Sequence, residues 1–218
     1  TEDGEKVGHV FADLFFIGQW MFGFAGICLL EMLNPFVELA FGKQYLFTED
    51  IVLILCINFF VTGTRRAVLI FKESMGLFWY DRYKSLIEAV LNLGISILLV
   101  ENLGIAGVFL GTLCSTLLTS FWVEPYVLYK HRFHENPVKF FLKYAWHLIV
   151  MAAVWGLTHV CCRWYEGGAL GNLLFRFAIC MVVPNVLLLL CYCRTAECKD
   201  FLRLLKRMGS KVLGRIKG

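Results

Sequence analysis

Six long apolar segments, separated by short polar ones, set the pattern of this chain. They run from 11 to 33, 51 to 71, 86 to 100, 105 to 129, 144 to 162 and 173 to 193. About 20 apolar helical residues cross the hydrocarbon core of a bilayer, and all but the third segment reach or approach that length. We expect the third helix to start near Asp81, in the membrane interface. The pattern predicts an all-α polytopic membrane bundle with six transmembrane helices.

Polar residues recur at helical spacing within the third segment. Glu88, Asn92 and Ser96 are four residues apart, so on a helix they form one polar line along a single face. A carboxylate and an amide that faced lipid would stay unsatisfied. This favours a position facing a water-filled interior, where the three side chains would be candidates for binding a substrate. The alternative is a hydrogen-bonded seam between helices, because polar residues often join membrane helices.

The second segment carries a similar line that includes positive charge. Asn58, Thr62 and Arg66 share one helical face, and Arg65 stands beside Arg66. Arginine binds phosphate oxygens bidentately, so the pair suits a pyrophosphate in a water-filled cavity. The alternative is that both arginines snorkel to the membrane surface, as long side chains near helix ends do.

Small residues mark the fourth segment. Gly104, Gly107, Gly111, Ser115 and Thr119 recur every three or four residues. This spacing is typical of membrane helices that pack closely together, and it points to packing and not to chemistry.

Composition supports the membrane interpretation and narrows the chemistry. The chain is 59% hydrophobic and 17% charged, whereas soluble domains carry about 25% charged residues. The nine cysteines lie mostly in apolar runs, which indicates small buried hydrophobes and not a disulfide framework. The sequence contains no recognised nucleophile, zinc or nucleotide-binding motif. It therefore predicts no enzyme, no cofactor and no metal site.

The distribution of charge predicts an orientation. Of the 21 Lys and Arg residues, all but Lys43, Arg163 and Arg176 fall on one side when both termini are placed together. Cytoplasmic loops carry such an excess, so both termini are predicted to be cytoplasmic. Residues 194–218 form a basic amphipathic tail, expected to lie on anionic membrane lipids. A nucleic-acid partner is not expected beside a membrane span.

Four stretches resemble a known family of membrane transporters. They are LNPFVELAFGKQY (33–45), NFFVTGTRR (58–66), the block from 76 to 116 that begins GLFWYDRYKSLIEAVLN, and FWVEPYVLYKHRF (121–133). The match is to the Wzx-like polysaccharide flippases, which belong to the same superfamily as the MATE antiporters. The positions that follow the pattern of capsule-type members are Gly76, Asp81, Arg82, Tyr83, Glu88, Asn92, Ser96, Gly104, Gly107 and Gly111.

The resemblance implies a fold, a location and a substrate. Such flippases have two six-helix lobes around a central cationic cavity. Residues 1–193 would be the second lobe, followed by the tail 194–218, and an N-terminal lobe of the same chain would precede Thr1, which is not a start Met. The implied activity moves undecaprenyl-pyrophosphate-linked oligosaccharides across the bacterial cytoplasmic membrane, for capsule, exopolysaccharide or O-antigen synthesis. A polysaccharide polymerase is a further expected partner.

By analogy with the cationic cavity, Arg65 and Arg66 are the first candidates for substrate contact, and Arg176 is a deeper one. No residue can be carried over for ion coupling, for which the sequence offers only Asp13, Glu88 and Glu124. Two other classes stay open. A MATE-like exporter of organic cations would need cavity carboxylates and little positive charge. A non-transporting scaffold of a polysaccharide assembly complex would tolerate neutralisation of Arg65, Arg66 and Glu88.

Overall fold

The computed structural model describes residues 2–165 and 167–216, with side chains described for 6–165 and 167–207. Within these residues the fold is of the all-α class and contains no β-strand. The helices are α1 (Glu2–Phe41), α2 (Glu49–Ser74), α3 (Lys84–Leu103), α4 (Ile105–Leu118), α5 (Ser120–Leu128), α6 (Val138–Cys162), α7 (Ala169–Tyr192) and α8 (Ala196–Ile216).

Six stretches of the described chain are long and apolar enough to cross a membrane, as predicted. They are Lys6–Phe41, Glu49–Ser74, Leu77–Leu103, Ile105–Phe133, Val138–Cys162 and Ala169–Tyr192. The all-α polytopic bundle is therefore confirmed. The third span begins with a short 3₁₀ turn, Leu77–Asp81, ahead of α3, so helical structure does extend to Asp81.

The fourth span is broken in a way the sequence did not indicate. α4 ends at Leu118, and Thr119 departs from helical geometry, with φ −117° and ψ −85°. α5 then continues from Ser120 through Pro125 and runs into a π-helical turn, Tyr129–Phe133. The break divides the span into two helical segments, and Glu124 belongs to the second.

α1 is the central helix of the bundle and packs against α2, α6, α7 and α8. Two apolar clusters surround it. One groups Phe11 and Phe15 with the inner faces of α2 and α6, and the other joins Phe16 and Ile27 to α6, α7 and α8. Phe11 contacts rings from α2, the π turn and α6. These ring contacts lie at the end of the bundle that carries the start of α1, the α2–α3 and α5–α6 connections, and α8. We call it the basic end, because these segments carry most of the Lys and Arg residues of the chain.

α3 and α4 form a tight antiparallel hairpin. Gly104 makes the turn with φ +55°, a conformation that glycine adopts without steric cost. At Gly107 a Cβ would overlap the backbone of Leu99, and at Gly111 it would overlap Ser96. The small residues of the fourth span are therefore where α4 approaches α3 most closely. Most of the α3 side chains point away from the rest of the bundle.

Candidate functional site

Six charged side chains of alternating sign are linked at the basic end, and we call them the ion chain. In order they are Lys72, Asp81, Lys84, Glu124, Arg65 and Glu88. Asp81 pairs with Lys72 and, at 3.7 Å, with Lys84. Glu124 pairs with Lys84 and Arg65. The chain ends where Arg65 Nη1 lies 3.7 Å from Glu88 Oε1.

Local helical spacing and one turn of the backbone bring these residues together. Arg65 and Lys72 are seven residues apart on α2, so both project from one face. Lys84 and Glu88 are one turn apart at the start of α3. Asp81 ends the 3₁₀ turn that follows Gly76, whose φ of +69° reverses the chain after α2. Glu124 then enters from α5 between the two helices.

The centre of the ion chain is fully buried. Glu124 has 0% relative exposure, and its carboxylate accepts two hydrogen bonds from Arg65, Nε to Oε2 at 3.0 Å and Nη2 to Oε1 at 2.8 Å. This fork geometry is the strong, bidentate form of an arginine–carboxylate pair. Because the guanidinium of Arg65 already pairs with a buried carboxylate, its charge is neutralised inside the protein.

The polar line of the third span faces the neighbouring helix. Thr116 donates to Glu88 Oε1 at 2.8 Å, and Ser120 donates to Oε2 at 2.5 Å. Asn92 Oδ1 accepts from Ser96 at 3.1 Å and from Thr112 at 3.4 Å. Glu88, Asn92 and Ser96 thus lie together at the seam between α3 and α4–α5. These contacts match the hydrogen-bonded seam given above as the alternative.

The residues of the polar line in the second span lie in different environments, one packed against another helix and two exposed. Asn58 donates from Nδ2 to the carbonyl of Phe109 on α4 at 2.9 Å. Thr62 and Arg66, one and two turns further on, are exposed. Within the described side chains Arg66 makes no hydrogen bond or ion pair. The two adjacent arginines therefore differ: Arg65 is internal and matched, whereas Arg66 is external and has no partner among the described side chains.

Arg176 belongs to a second cluster at the opposite end of the bundle. Its Nη1 donates to Glu31 Oε2 at 3.0 Å, and its Nε donates to Asn172 at 3.0 Å. Glu31 is only 3% exposed, and its Oε1 also lies 3.1 Å from Trp155 Nε1 and 2.9 Å from His159 Nδ1. The structure does not bring Arg176 near Arg65 or Arg66.

Sequence reasoning missed several members of both clusters. In the sequence Lys72 and Lys84 contribute to the predicted inside charge, and Lys84 is also a possible partner of Glu88. Asp81 is a position of the family resemblance, and Glu31 has no predicted role. One signal could have found Glu31: it is a carboxylate inside an apolar span, and such groups are nearly always paired. Its partners stand 124 to 145 residues away, so their identity was not readable from spacing.

A cavity of about 780 Å³ opens at the basic end. α1, the π turn, α6 and α8 line it, with an aromatic floor and the carboxylates of Asp13, Glu135, Glu197 and Asp200. Lys143 Nζ donates to Glu197 Oε1 at 2.5 Å. Burial by itself would raise the pKa of Glu197, but the hydrogen bond and the charge of Lys143 lower that pKa below its ordinary value.

The fold and these clusters define an all-α, multi-pass membrane protein whose six apolar helices are compatible with a membrane transporter. Among the described residues, no three His, Cys, Asp or Glu side chains are arranged to hold a metal ion. No protein-family model matches the chain, and comparison with curated proteins and with solved structures gives no match.

Proposed function

We propose that this chain is one helical lobe of a flippase for undecaprenyl-pyrophosphate-linked oligosaccharides, and that Arg66 contacts the anionic part of the substrate. The sequence resemblance supplies the substrate class. The observation that carries the site is the difference between the two arginines of α2. Glu124 occupies the fork of Arg65, so the arginine on this helix that is free to meet an external anion is the exposed Arg66.

The position of Arg66 supports this role. It stands eight residues before the end of α2 at Ser74, which is about 12 Å along the helix. An unmatched guanidinium at that depth is costly in lipid. A second lobe that enclosed an aqueous cavity against this face would remove the cost, and a pyrophosphate would then match the planar fork. Thr62, one turn away on the exposed face, offers a hydroxyl beside it.

The other polar residues then have supporting roles in the proposal. Arg65, Glu88, Asn92 and Ser96 hold α2, α3, α4 and α5 together, so that the face with Arg66 keeps its shape. Asn58 adds one more bond between α2 and α4. Arg176, bound to Glu31, would act at the opposite end, where the substrate is released.

Export by the full-length chain tests the proposal. Arg66→Ala should reduce complementation of a flippase-deficient strain at unchanged membrane abundance, measured by blotting. Loss of a hydrogen-bonded charge contact worth about 1.5–3 kcal/mol corresponds to roughly a 10- to 150-fold loss of affinity. Arg66→Lys should restore export only in part, because lysine lacks the fork. Arg194→Ala, which removes an exposed arginine outside the spans, is the matched control and should keep full export.

Two results would contradict the assignment. Full export by Arg66→Ala at normal abundance would remove Arg66 from the site. Full export by Arg66→Lys together with a defect in Arg66→Ala would favour snorkelling, since lysine supplies the same charge to the membrane surface.

One observation favours a second candidate, an exporter of organic cations. Asp13 lines the cavity at the basic end beside Phe11 and Phe15, and within the described residues it forms no ion pair. A carboxylate beside aromatic rings suits an organic cation. In that case Asp13→Asn would abolish resistance to cationic compounds, and Arg66→Ala would leave it intact.

A further inference from the structure

In the described part of the bundle core, two buried polar side chains are left without complete hydrogen bonding. Gln19 on α1 is 1% exposed and His147 on α6 is 2% exposed. Among the described side chains, the buried nitrogen and oxygen atoms without a partner are Gln19 Nε2, Gln19 Oε1 and His147 Nε2. Buried polar groups are nearly always hydrogen-bonded, because otherwise they lose the bonds they made to water.

The contacts of α1 with α6, together with helical spacing, indicate that these three atoms lie in one region. The His147 ring centroid lies 6.0 Å from that of Phe15 and 6.2 Å from that of Phe16, and Gln19 follows these residues by one helical turn. One turn further along both helices, Met151 of α6 packs onto Gly23 of α1, where a Cβ would overlap its side chain. Gln19 thus lies between the levels of His147 and Met151.

The other side of the imidazole is already occupied. His147 Nδ1 lies 2.6 Å from the hydroxyl of Tyr192 on α7. Tyr192 is packed in the cluster that includes Cys198 of α8, and Phe201 of α8 contacts the rings of Phe16 and Trp20. α8 therefore covers this region at the basic end of the bundle.

The cavity at the basic end lies one helical turn away. Lys143, which precedes His147 by four residues on α6, lines the cavity at the basic end, and so do Phe15 and Glu197. Lys143 and Glu197 pair with each other. These two charged groups of the cavity lining are thus matched with each other.

We infer that Gln19 and His147 together bind one internal water molecule, which enters from the cavity at the basic end. A buried water makes about three hydrogen bonds, and this pair offers three partner atoms. Water both donates and accepts, so it serves the amide nitrogen, the amide oxygen and His147 Nε2 in either tautomer of the ring. An ion would satisfy only donors or only acceptors. The resulting chain, Tyr192–His147–water–Gln19, joins α7, α6 and α1.

Water-edited solid-state NMR on the full-length, isotope-labelled protein in lipid nanodiscs tests this inference. Polarisation should pass from water to the His147 ring nitrogens and the Gln19 side-chain nitrogen several times faster than to Thr158. Thr158 is the reference because it is also fully buried, but its hydroxyl already donates to the backbone of α6. The spectrum of His147→Phe assigns the histidine signal among the five histidines of the chain.

Two variants separate a bound water from general hydration. Gln19→Leu removes two of the three partners at similar volume, so transfer to His147 should fall to the level of Thr158. Tyr192→Phe removes only the partner of Nδ1, so transfer should persist. Transfer at the Thr158 level in the wild-type protein would overturn the inference. A scalar coupling between the Gln19 and His147 nitrogens would also overturn it, because the two side chains would then bond directly.

Discussion

Removal of the Glu124 charge is the sharpest test of the ion chain. Glu124→Gln keeps the volume of the side chain but leaves Arg65 and Lys84 without the carboxylate they share. Breaking a buried ion pair by removing one partner typically costs 3–5 kcal/mol, because the other charge stays buried. Two features of the structure reduce the loss: Arg65 keeps Glu88 at 3.7 Å, and Lys84 keeps Asp81 at 3.7 Å. We therefore expect the free energy of unfolding to fall by about 3 kcal/mol, the lower limit of that range.

The assay is equilibrium unfolding in lipid bicelles, with a double-mutant cycle between Arg65→Gln and Glu124→Gln. The double variant should be less destabilised than the sum of the two single variants by about 2 kcal/mol, as found for residues in direct contact. The matched control is Glu135→Gln. Glu135 pairs with Lys139 at 3.1 Å, but its side chain is 52% exposed, so we expect a change of about 0.5 kcal/mol or less.

Two outcomes would refute this reasoning. One is a stability of Glu124→Gln that matches the Glu135→Gln control. The other is strict additivity in the cycle, which would mean that Arg65 and Glu124 do not stabilise each other in the membrane.

Three further predictions follow from other parts of the molecule. Because Lys143 holds the pKa of Glu197 below its ordinary value of 4.5, this pair stabilises the protein above that value, and the contribution is lost as the pH falls through the folded pKa. The melting temperature of the wild-type protein should therefore drop over that acid window, relative to a flatter profile for Glu197→Gln. Gly107→Ala should force α4 away from the Leu99 backbone and cost about 1–3 kcal/mol, whereas Gly94→Ala, with nothing within 4 Å of the new Cβ, should not destabilise in the same unfolding assay. Cysteines placed at Asn136 and Gly168 should react with an impermeant maleimide from the cytoplasmic and the outer side respectively, and outside-only labelling at Asn136 would refute the predicted orientation.

The spans could be predicted because bilayer thickness fixes the length of an apolar helix, and each predicted segment lies within or close to a helix of the structure. The break at Thr119 could not, since threonine and serine are common inside membrane helices and carry no stop signal. That break matters because Glu124 stands in the separate half-span that follows it.

Charge partners were harder to predict than polar faces. The spacing of Glu88, Asn92 and Ser96 gave their common face correctly, but spacing within one helix does not show which helix lies opposite. Similarly, Arg65 and Arg66 looked equivalent in sequence. The rotation of 100° between adjacent helical residues turns one toward Glu124 and the other outward, and only packing decides which.

The ion chain carries no net charge, and this affects how the protein can respond to an electrical potential across its membrane. Three cations and three carboxylates cancel, so moving the whole group along the membrane normal does no electrical work. Arg66 stands outside that balance. Carrying its charge through the full potential would involve about 2.3 kcal/mol per 100 mV, and a smaller displacement would involve a proportionate fraction. A membrane potential would therefore do work on the exposed guanidinium of Arg66 if it moved, whereas movement of the neutral ion chain beside it would contribute none.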